Sequence, residues 1–269
     1  MKCEKVRWGI LGTGNIARVF AKGIAGSTTG ELFAVASRNL SNAQNFGQEF
    51  DVPCRYGSYE ELIADPKVEV VYIALPHVLH AEWTIRAACA GKHILCEKPL
   101  AINYAEAQKM IDAASRNDVF LMEAFMYRCH PQTAKLIELL RAKVIGDIRI
   151  IQATFSFQAD FDLTNKALSN ELGGGSILDV GCYPVSMARL IAGVELGREY
   201  ADPIEVYGTG YVGDLSGIDE WSVCCLKFPR GILAQVSAGV FLKQQNVVRI
   251  FGSEGDIFIP SPWVPGGRD

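Results

Sequence analysis

The chain has 269 residues, 49% of them hydrophobic and 21% charged, which is enough apolar material for a substantial core and too little charge for a disordered segment. Its 26 basic residues stand against 30 acidic ones, a formal net charge of −4, so there is no broad basic surface for a phosphate backbone and the balance argues against a nucleic-acid partner. No apolar run in the sequence approaches the roughly 20 residues that span a bilayer, and MKCEKVRWGILG runs straight into a strand-like segment without a signal-peptide pattern; these features read as a cytoplasmic protein with no membrane partner.

At roughly 100–200 residues per domain the length fits two ordinary domains. From the N-terminus, the apolar, β-branched runs VRWGIL (6–11), ELFAVAS (31–37), VEVVYIAL (68–75), HILCE (93–97) and VFLMEAF (119–125) alternate with amphipathic stretches. That alternation predicts a doubly wound parallel sheet of Rossmann type, with strands near-continuous in apolar residues because helices cover both faces. HAEWTIRAACAGK (80–92) and NYAEAQKMIDAASRND (103–118) carry apolar residues at three- and four-residue spacing and read as helices. Asn103, with Glu106 three residues on, is an Asn-headed relative of the capping box.

A helix is expected at 132–143, after which the style changes to strand following strand: 147–158, 204–213, 220–228, 232–241 and 247–253. Short turns such as Pro229-Arg230-Gly231 join them, with one helical segment near 176–192, and this predicts an antiparallel sheet domain. The expected division is a dinucleotide-binding domain over 1–124 and a substrate-binding and dimerisation domain, built on a mostly antiparallel open sheet, over 125–269. The eight cysteines include no C-x-x-C pair, and adjacent Cys224 and Cys225 face opposite sides of a strand, so they read as reduced thiols rather than disulfides or metal ligands.

Gly12-x-Gly14-x-x-Ala17 lies between the first strand and a helix, the setting the dinucleotide fingerprint requires. Gly12 permits the tight turn, Gly14 admits a pyrophosphate to the backbone, and Ala17 lets the helix pack close to the sheet, while the free amides of Asn15 and Ile16 face the anion. A carboxylate for a ribose 2′-hydroxyl is expected about 20 residues on. The second strand ends instead in Ala36-Ser37-Arg38-Asn39, where a hydroxyl and a guanidinium suit a 2′-phosphate. This favours NADP, with NAD the alternative; read otherwise, Arg38 is an ordinary solvated loop residue.

Four stretches, GILGTGNIA near the start, IALPHVLHAEW (73–83), CEKPLAI (96–102) and GGGSILDVGCYPVSMARLIAG (173–193), make the whole chain resemble the Gfo/Idh/MocA oxidoreductases, most closely the branch of dimeric dihydrodiol dehydrogenases and NADP-dependent pentose dehydrogenases. The resemblance implies that Lys98, Asp179 and Tyr183 surround the nicotinamide and the substrate carbinol, and that Leu75, Pro76, His77, His80 and Glu97 join the cofactor-binding loops. His77 stands where asparagine is more usual, which weakens its carry-over more than that of His80. Removing hydride from a secondary alcohol also requires removing the hydroxyl proton, and tyrosine, with a pKa near ~10, serves as a base only beside a positive charge that Lys98 can supply. Lys98 can equally donate to the developing alkoxide. Asp179, four residues before Tyr183, orients the hydroxyl or Lys98, while Pro184 either kinks that helix or starts a new one. Singly, each residue has an ordinary reading: a core tyrosine, a helix-start carboxylate, a solvated lysine.

Arg128 and His130 either line the substrate cleft or belong to a packed hinge, and Phe155 and Phe157 read as sheet-face packing. The function expected is NADP-dependent oxidation of a sugar, polyol or cyclic trans-diol, or the reverse reduction, on a small-molecule substrate. A non-catalytic nicotinamide-sensing regulator on the same fold is the alternative. A homodimer through the second sheet is expected, which exposed apolar residues along 232–241 would support. The chain stops at Asp269 just after a strand-like run, where family members continue with further strands, so the second domain is expected to be truncated at its C-terminus.

Overall fold

The computed structural model describes residues 5–160 and 168–266. By its internal contacts the chain divides into two compact units, Met1–Ala124 and Phe125–Asp269.

In the first unit the elements are β1 (Val6–Leu11), α1 (Asn15–Ala25), β2 (Gly30–Ala36), α2 (Leu40–Glu49), β3 (Cys54–Tyr56), α3 (Tyr59–Ala64), β4 (Val70–Ile73), α4 (His80–Cys89), β5 (His93–Cys96), α5 (Tyr104–Arg116) and β6 (Leu121–Glu123). The six strands lie in the order β3-β2-β1-β4-β5-β6 and all pairings are parallel. Successive residues serve opposite faces: Ile10 joins Ala17, Val35, Phe46 and Tyr72 on one side, and Leu11 joins Ala36, Leu62, Ile73 and Met110 on the other. That two-sided burial is why the strands read as continuous apolar runs. Asn103 caps α5 by accepting from the Glu106 N–H at 2.9 Å, and its side-chain amide donates to the Glu106 carboxylate at 3.1 Å; the return bond thus closes on the Asn103 side chain instead of its backbone.

The second unit contains α6 (Pro131–Arg141), β7 (Ile148–Ser156), a π-helical turn (Ile177–Gly181) running into α7 (Cys182–Glu195), and β8 (Glu205–Val212), β9 (Asp219–Lys227), β10 (Leu233–Gly239), β11 (Val248–Gly252) and β12 (Asp256–Ile259). The sheet order is β12-β11-β7-β10-β9-β8. Its pairings are antiparallel except that β10 runs parallel to β7. The β8-β9-β10 meander returns beside a strand left before α7, and this departs from a purely antiparallel domain.

Helix α7 covers one face of that sheet through Tyr183, Met187 and Ile191, against Ile151, Val236, Val248 and Ile250. Its apolar length corrects one expectation. The helical stretch Asn170–Glu195 is long and apolar enough to cross a membrane by length and composition, yet more than half of its apolar part is buried inside the protein, as in a core helix. The opposite sheet face carries exposed Ile150, Tyr207, Tyr211, Trp221, Val223 and Leu233. Within 232–241 only Leu233 is an exposed large apolar residue, so the exposed apolar surface sits chiefly on β8 and β9, the strands towards the sheet edge.

Candidate active site

The loop between β1 and α1 is built around a residue that must be glycine. Gly12 has φ +103°, and a Cβ there would stand 2.6 Å from the Ala74 carbonyl oxygen after β4, so both the turn and the neighbouring strand exclude a side chain. Gly14 differs, since a Cβ there would meet nothing within 4 Å, and it stands exposed as the N-cap of α1 with no side-chain cap bond. The first-turn amides, including those of Asn15 and Ile16, therefore point outward beside open space, and Ala17 beneath them is fully buried. An uncapped helix start with a clear approach fits an anionic ligand, and this arrangement fits the pyrophosphate of a dinucleotide.

At the end of β2, Ser37 is buried and its hydroxyl accepts from the Asn39 N–H at 3.3 Å, while Asn39 caps α2 through Ser41. Arg38 between them is exposed, and its charge opposes the rise that burial imposes on the pKa of Tyr59 in α3.

Strands β2, β1, β4 and β5 are consecutive neighbours running the same way. Their carboxyl ends place Ser37-Arg38, the Gly12 loop, Leu75-Pro76-His77 and Glu97-Lys98 along one edge, with neighbouring strands about 4.8 Å apart. That edge is where open α/β sheets take their ligands. Leu75 is buried, whereas Pro76 and His77 are half-buried. His80 is fully buried, with Nδ1 2.8 Å from the Pro99 carbonyl and Nε2 3.0 Å from the Leu75 carbonyl. Each ring nitrogen thus faces a main-chain carbonyl, of which the neutral ring can donate to one, and the ring lies between the loop after β4 and the loop that carries Lys98. Burial pushes the pKa of His80 down from 6.5 to about 4.

The Lys98 turn is held at further points. The Tyr72 hydroxyl donates to Glu97 Oε1 at 2.5 Å, the Lys98 N–H donates to Glu97 Oε2 at 3.2 Å, and the Leu100 N–H donates to Glu123 at 2.7 Å. Burial raises the pKa of Glu97, opposed by the Tyr72 bond and the Lys98 charge. So Glu97 engages its own unit through its carboxylate.

In the second unit, Asp219 accepts from the Ile177 N–H and the Ser176 hydroxyl, each at 2.7 Å, and so anchors the start of the π-helical turn. Asp179 lies in that turn, half-buried, and α7 follows it without a break, with Tyr183 as its second residue. The wider turn resolves the alternative posed by Pro184: it sits near the start of α7 in one continuous helix, with the added residue per turn placed just before it.

Tyr183 is only 5% exposed. Its ring meets Phe155, Phe125, Trp263 and Tyr127 at centroid distances of 5.0, 5.4, 5.8 and 6.0 Å, and its hydroxyl lies 3.5 Å from the Met126 sulfur. Phe155 therefore walls Tyr183, beyond plain sheet packing, while Phe157 packs in a separate small cluster with Leu168, Ile218 and Val240. Sequence reasoning missed Phe125, Tyr127 and Trp263. Trp263 is 2% exposed and donates to the Thr154 carbonyl at 2.8 Å; a tryptophan set in PSPWVP was the available signal. His130 caps α6 by accepting from the Gln132 N–H at 3.1 Å, and Arg128 is exposed.

Two family profiles match the chain: "Oxidoreductase family, NAD-binding Rossmann fold" of the Gfo/Idh/MocA group over residues 6–125, and the C-terminal domain of the same group over residues 133–258. The trans-1,2-dihydrobenzene-1,2-diol dehydrogenase of Xenopus tropicalis is 36% identical over 96% of this chain and 77% of its own length. The D-xylose 1-dehydrogenase (NADP(+)) 2 of Haloferax volcanii is 36% identical over 92% of this chain and 74% of its own. Among solved structures, a tyrosine-to-phenylalanine mutant of a 3-ketoreductase from Actinomadura kijaniata, in complex with TDP-benzene and NADP, superposes with a TM-score of 0.89 at 29% identity, covering 98% of this chain and 78% of that one.

Proposed function

The chain belongs to the Gfo/Idh/MocA oxidoreductase family, and on that footing we propose that it transfers hydride between NADP and a secondary alcohol or carbonyl of a sugar, polyol or cyclic trans-diol. The observation that carries this reading is the single sheet edge on which the uncapped start of α1, Arg38 and Lys98 all stand. The diol and xylose dehydrogenases and the NADP-bound ketoreductase among the relatives support the substrate class and the cofactor.

The nicotinamide, when bound, accepts or returns the hydride. Gly12, Gly14, Asn15 and Ile16 take the pyrophosphate, and Ser37 with Arg38 takes the 2′-phosphate. Leu75, Pro76 and His77 line the adjoining loop, and His80 with Glu97 shapes it. Lys98 and Tyr183 handle the hydroxyl proton, and Asp179 orients the hydroxyl. Lys98 stabilises the alkoxide as the proton leaves, a task for which a fixed charge in a low-dielectric setting is worth several kcal/mol. The exposed Ile150, Tyr207, Tyr211, Trp221, Val223 and Leu233 on the open sheet face form the surface of a homodimer, testable by light scattering on wild type and a Trp221→Lys, Val223→Lys variant.

Purified protein supplied with NADP and a panel of aldoses, polyols and trans-dihydrodiols should produce reduced nicotinamide with at least one of them, and Tyr183→Phe should suppress that turnover about 10²-fold or more. Tight NADP binding without turnover on any of them would assign the chain to cofactor sensing instead.

A further inference from the structure

Lys98 is exposed to two forces that a lone loop lysine would not feel: a carboxylate held beside its own amide, and a loop tied down on both sides. Glu97 is the source of the first. It is partly buried, yet both oxygens are used, Oε1 by the Tyr72 hydroxyl at 2.5 Å and Oε2 by the Lys98 N–H at 3.2 Å. Tyr72 is 2% exposed, and its ring stacks on Phe20 of α1 at a centroid distance of 4.1 Å and an interplanar angle of 24°. A continuous line of contacts thus runs from the helix of the phosphate loop through Phe20, Tyr72 and Glu97 to the backbone of Lys98.

Resting on the acid/base role proposed for Lys98, we propose that Tyr72 is a positioning residue for the hydride-transfer reaction, acting through Glu97 to hold the Lys98 turn and keep a negative charge beside it. The Tyr72 hydroxyl donates to Glu97 Oε1. That bond favours the charged form of a carboxyl whose pKa burial raises, and a buried acceptor stripped of such a donor is costlier to ionise. The titratable groups around Glu97 are Tyr72 from β4, Cys96 at the end of β5, Lys98 beside it, His80 from α4, which feels the Lys98 charge, and Glu123 from β6, whose charge, like that of Glu97, raises the Cys96 pKa. Of these, Tyr72 and Lys98 favour the charged carboxyl of Glu97.

Removing the Tyr72 hydroxyl while keeping the ring leaves the Phe20 stack in place and takes away only the donor. Glu97 then binds its proton at a higher pH, and the charge next to Lys98 disappears sooner as the pH falls. In the wild-type protein the acidic limb of kcat should therefore lie lower than in Tyr72→Phe, by about one pH unit, with kcat of the variant reduced about tenfold, as for the loss of one hydrogen bond to a charged group. KM for NADP should change less than twofold. Glu97→Gln should remove that limb, and adding Tyr72→Phe to it should cost nothing more, because the two substitutions break one link.

The experiment is kcat and KM against pH for wild type, Tyr72→Phe, Glu97→Gln, the double variant and Lys98→Met. An unmoved acidic limb in Tyr72→Phe, or an additive loss in the double variant, overturns the positioning role while Lys98→Met remains inactive. Full turnover in Lys98→Met would instead overturn the underlying role of the lysine. Should Tyr72→Phe fail to fold, Glu97→Gln alone decides: loss of the limb supports the role, an unchanged profile removes it.

Discussion

Acidification should find His80 before it finds most of the fold. The ring is fully buried between the Leu75 and Pro99 carbonyls, and burial lowers its pKa from 6.5 to about 4. Because the folded state disfavours the imidazolium, the unfolded chain takes up this proton first. The contribution to stability is whole above pH 6.5, declines as the pH falls through 6.5, and stops declining below about 4. At 1.36 kcal/mol per pH unit the total is roughly 3 kcal/mol, of which about 2 kcal/mol is lost by about pH 5. A neutral imidazole donates through one nitrogen only, so one of its two carbonyl contacts has no proton. Were the imidazolium the resident form, both would be filled and acidification would stabilise the protein. Urea unfolding at pH 7 and pH 5 on wild type and His80→Gln separates these cases. The wild type should lose about 2 kcal/mol more than the variant over that interval, and equal losses, or a wild-type gain, would rule out a neutral buried His80.

The two glycines of the phosphate loop should separate folding from binding. Gly12→Ala places a Cβ 2.6 Å from the Ala74 oxygen at φ +103° and should destabilise the protein by about 1–3 kcal/mol, read by thermal unfolding without cofactor. Gly14→Ala meets no neighbour and should leave that stability within about 0.5 kcal/mol while weakening NADP about tenfold or more by fluorescence titration. Arg38→Glu should lower the preference for NADP over NAD, as the ratio of kcat/KM values, by roughly 10–100-fold, the worth of a charge-assisted bond. Trp263→Ala removes a 2% exposed ring and its bond to Thr154, and should cost about 3–5 kcal/mol in denaturant unfolding.

Much of the fold was legible because the two periodicities differ. The continuous apolar runs of β1, β4 and β5 can only be strands covered on both faces, and the strand order places them together. The stretch between β2 and β4 was harder. β3 is a three-residue edge strand with no fully buried residue, so it has little hydrophobic signal. Yet α3 had one: Ser58 caps it by accepting from the Glu61 N–H, while the Glu61 carboxylate accepts from Gly57, close to a capping box that Ser58-Tyr-Glu-Glu61 announces. The parallel pairing of β10 with β7 was not legible, since local pattern does not encode which distant strand becomes a neighbour. Lys98 and Tyr183 could be named from motifs, but the groups that hold them could not. The clamp made by His80 and the aromatic walls of Tyr183 depend on residues brought together from separate segments, Trp263 with Phe155 and His80 with Pro99.

The role proposed for Lys98 is proton transfer during NADP-dependent turnover. Steady-state kinetics of wild type and Lys98→Met on the best substrate of the panel, with NADP binding measured in parallel, test it directly. Lys98→Met should bind NADP within a few-fold of wild type and lose about 10²–10⁴ in kcat. Wild-type kcat in the variant would contradict it.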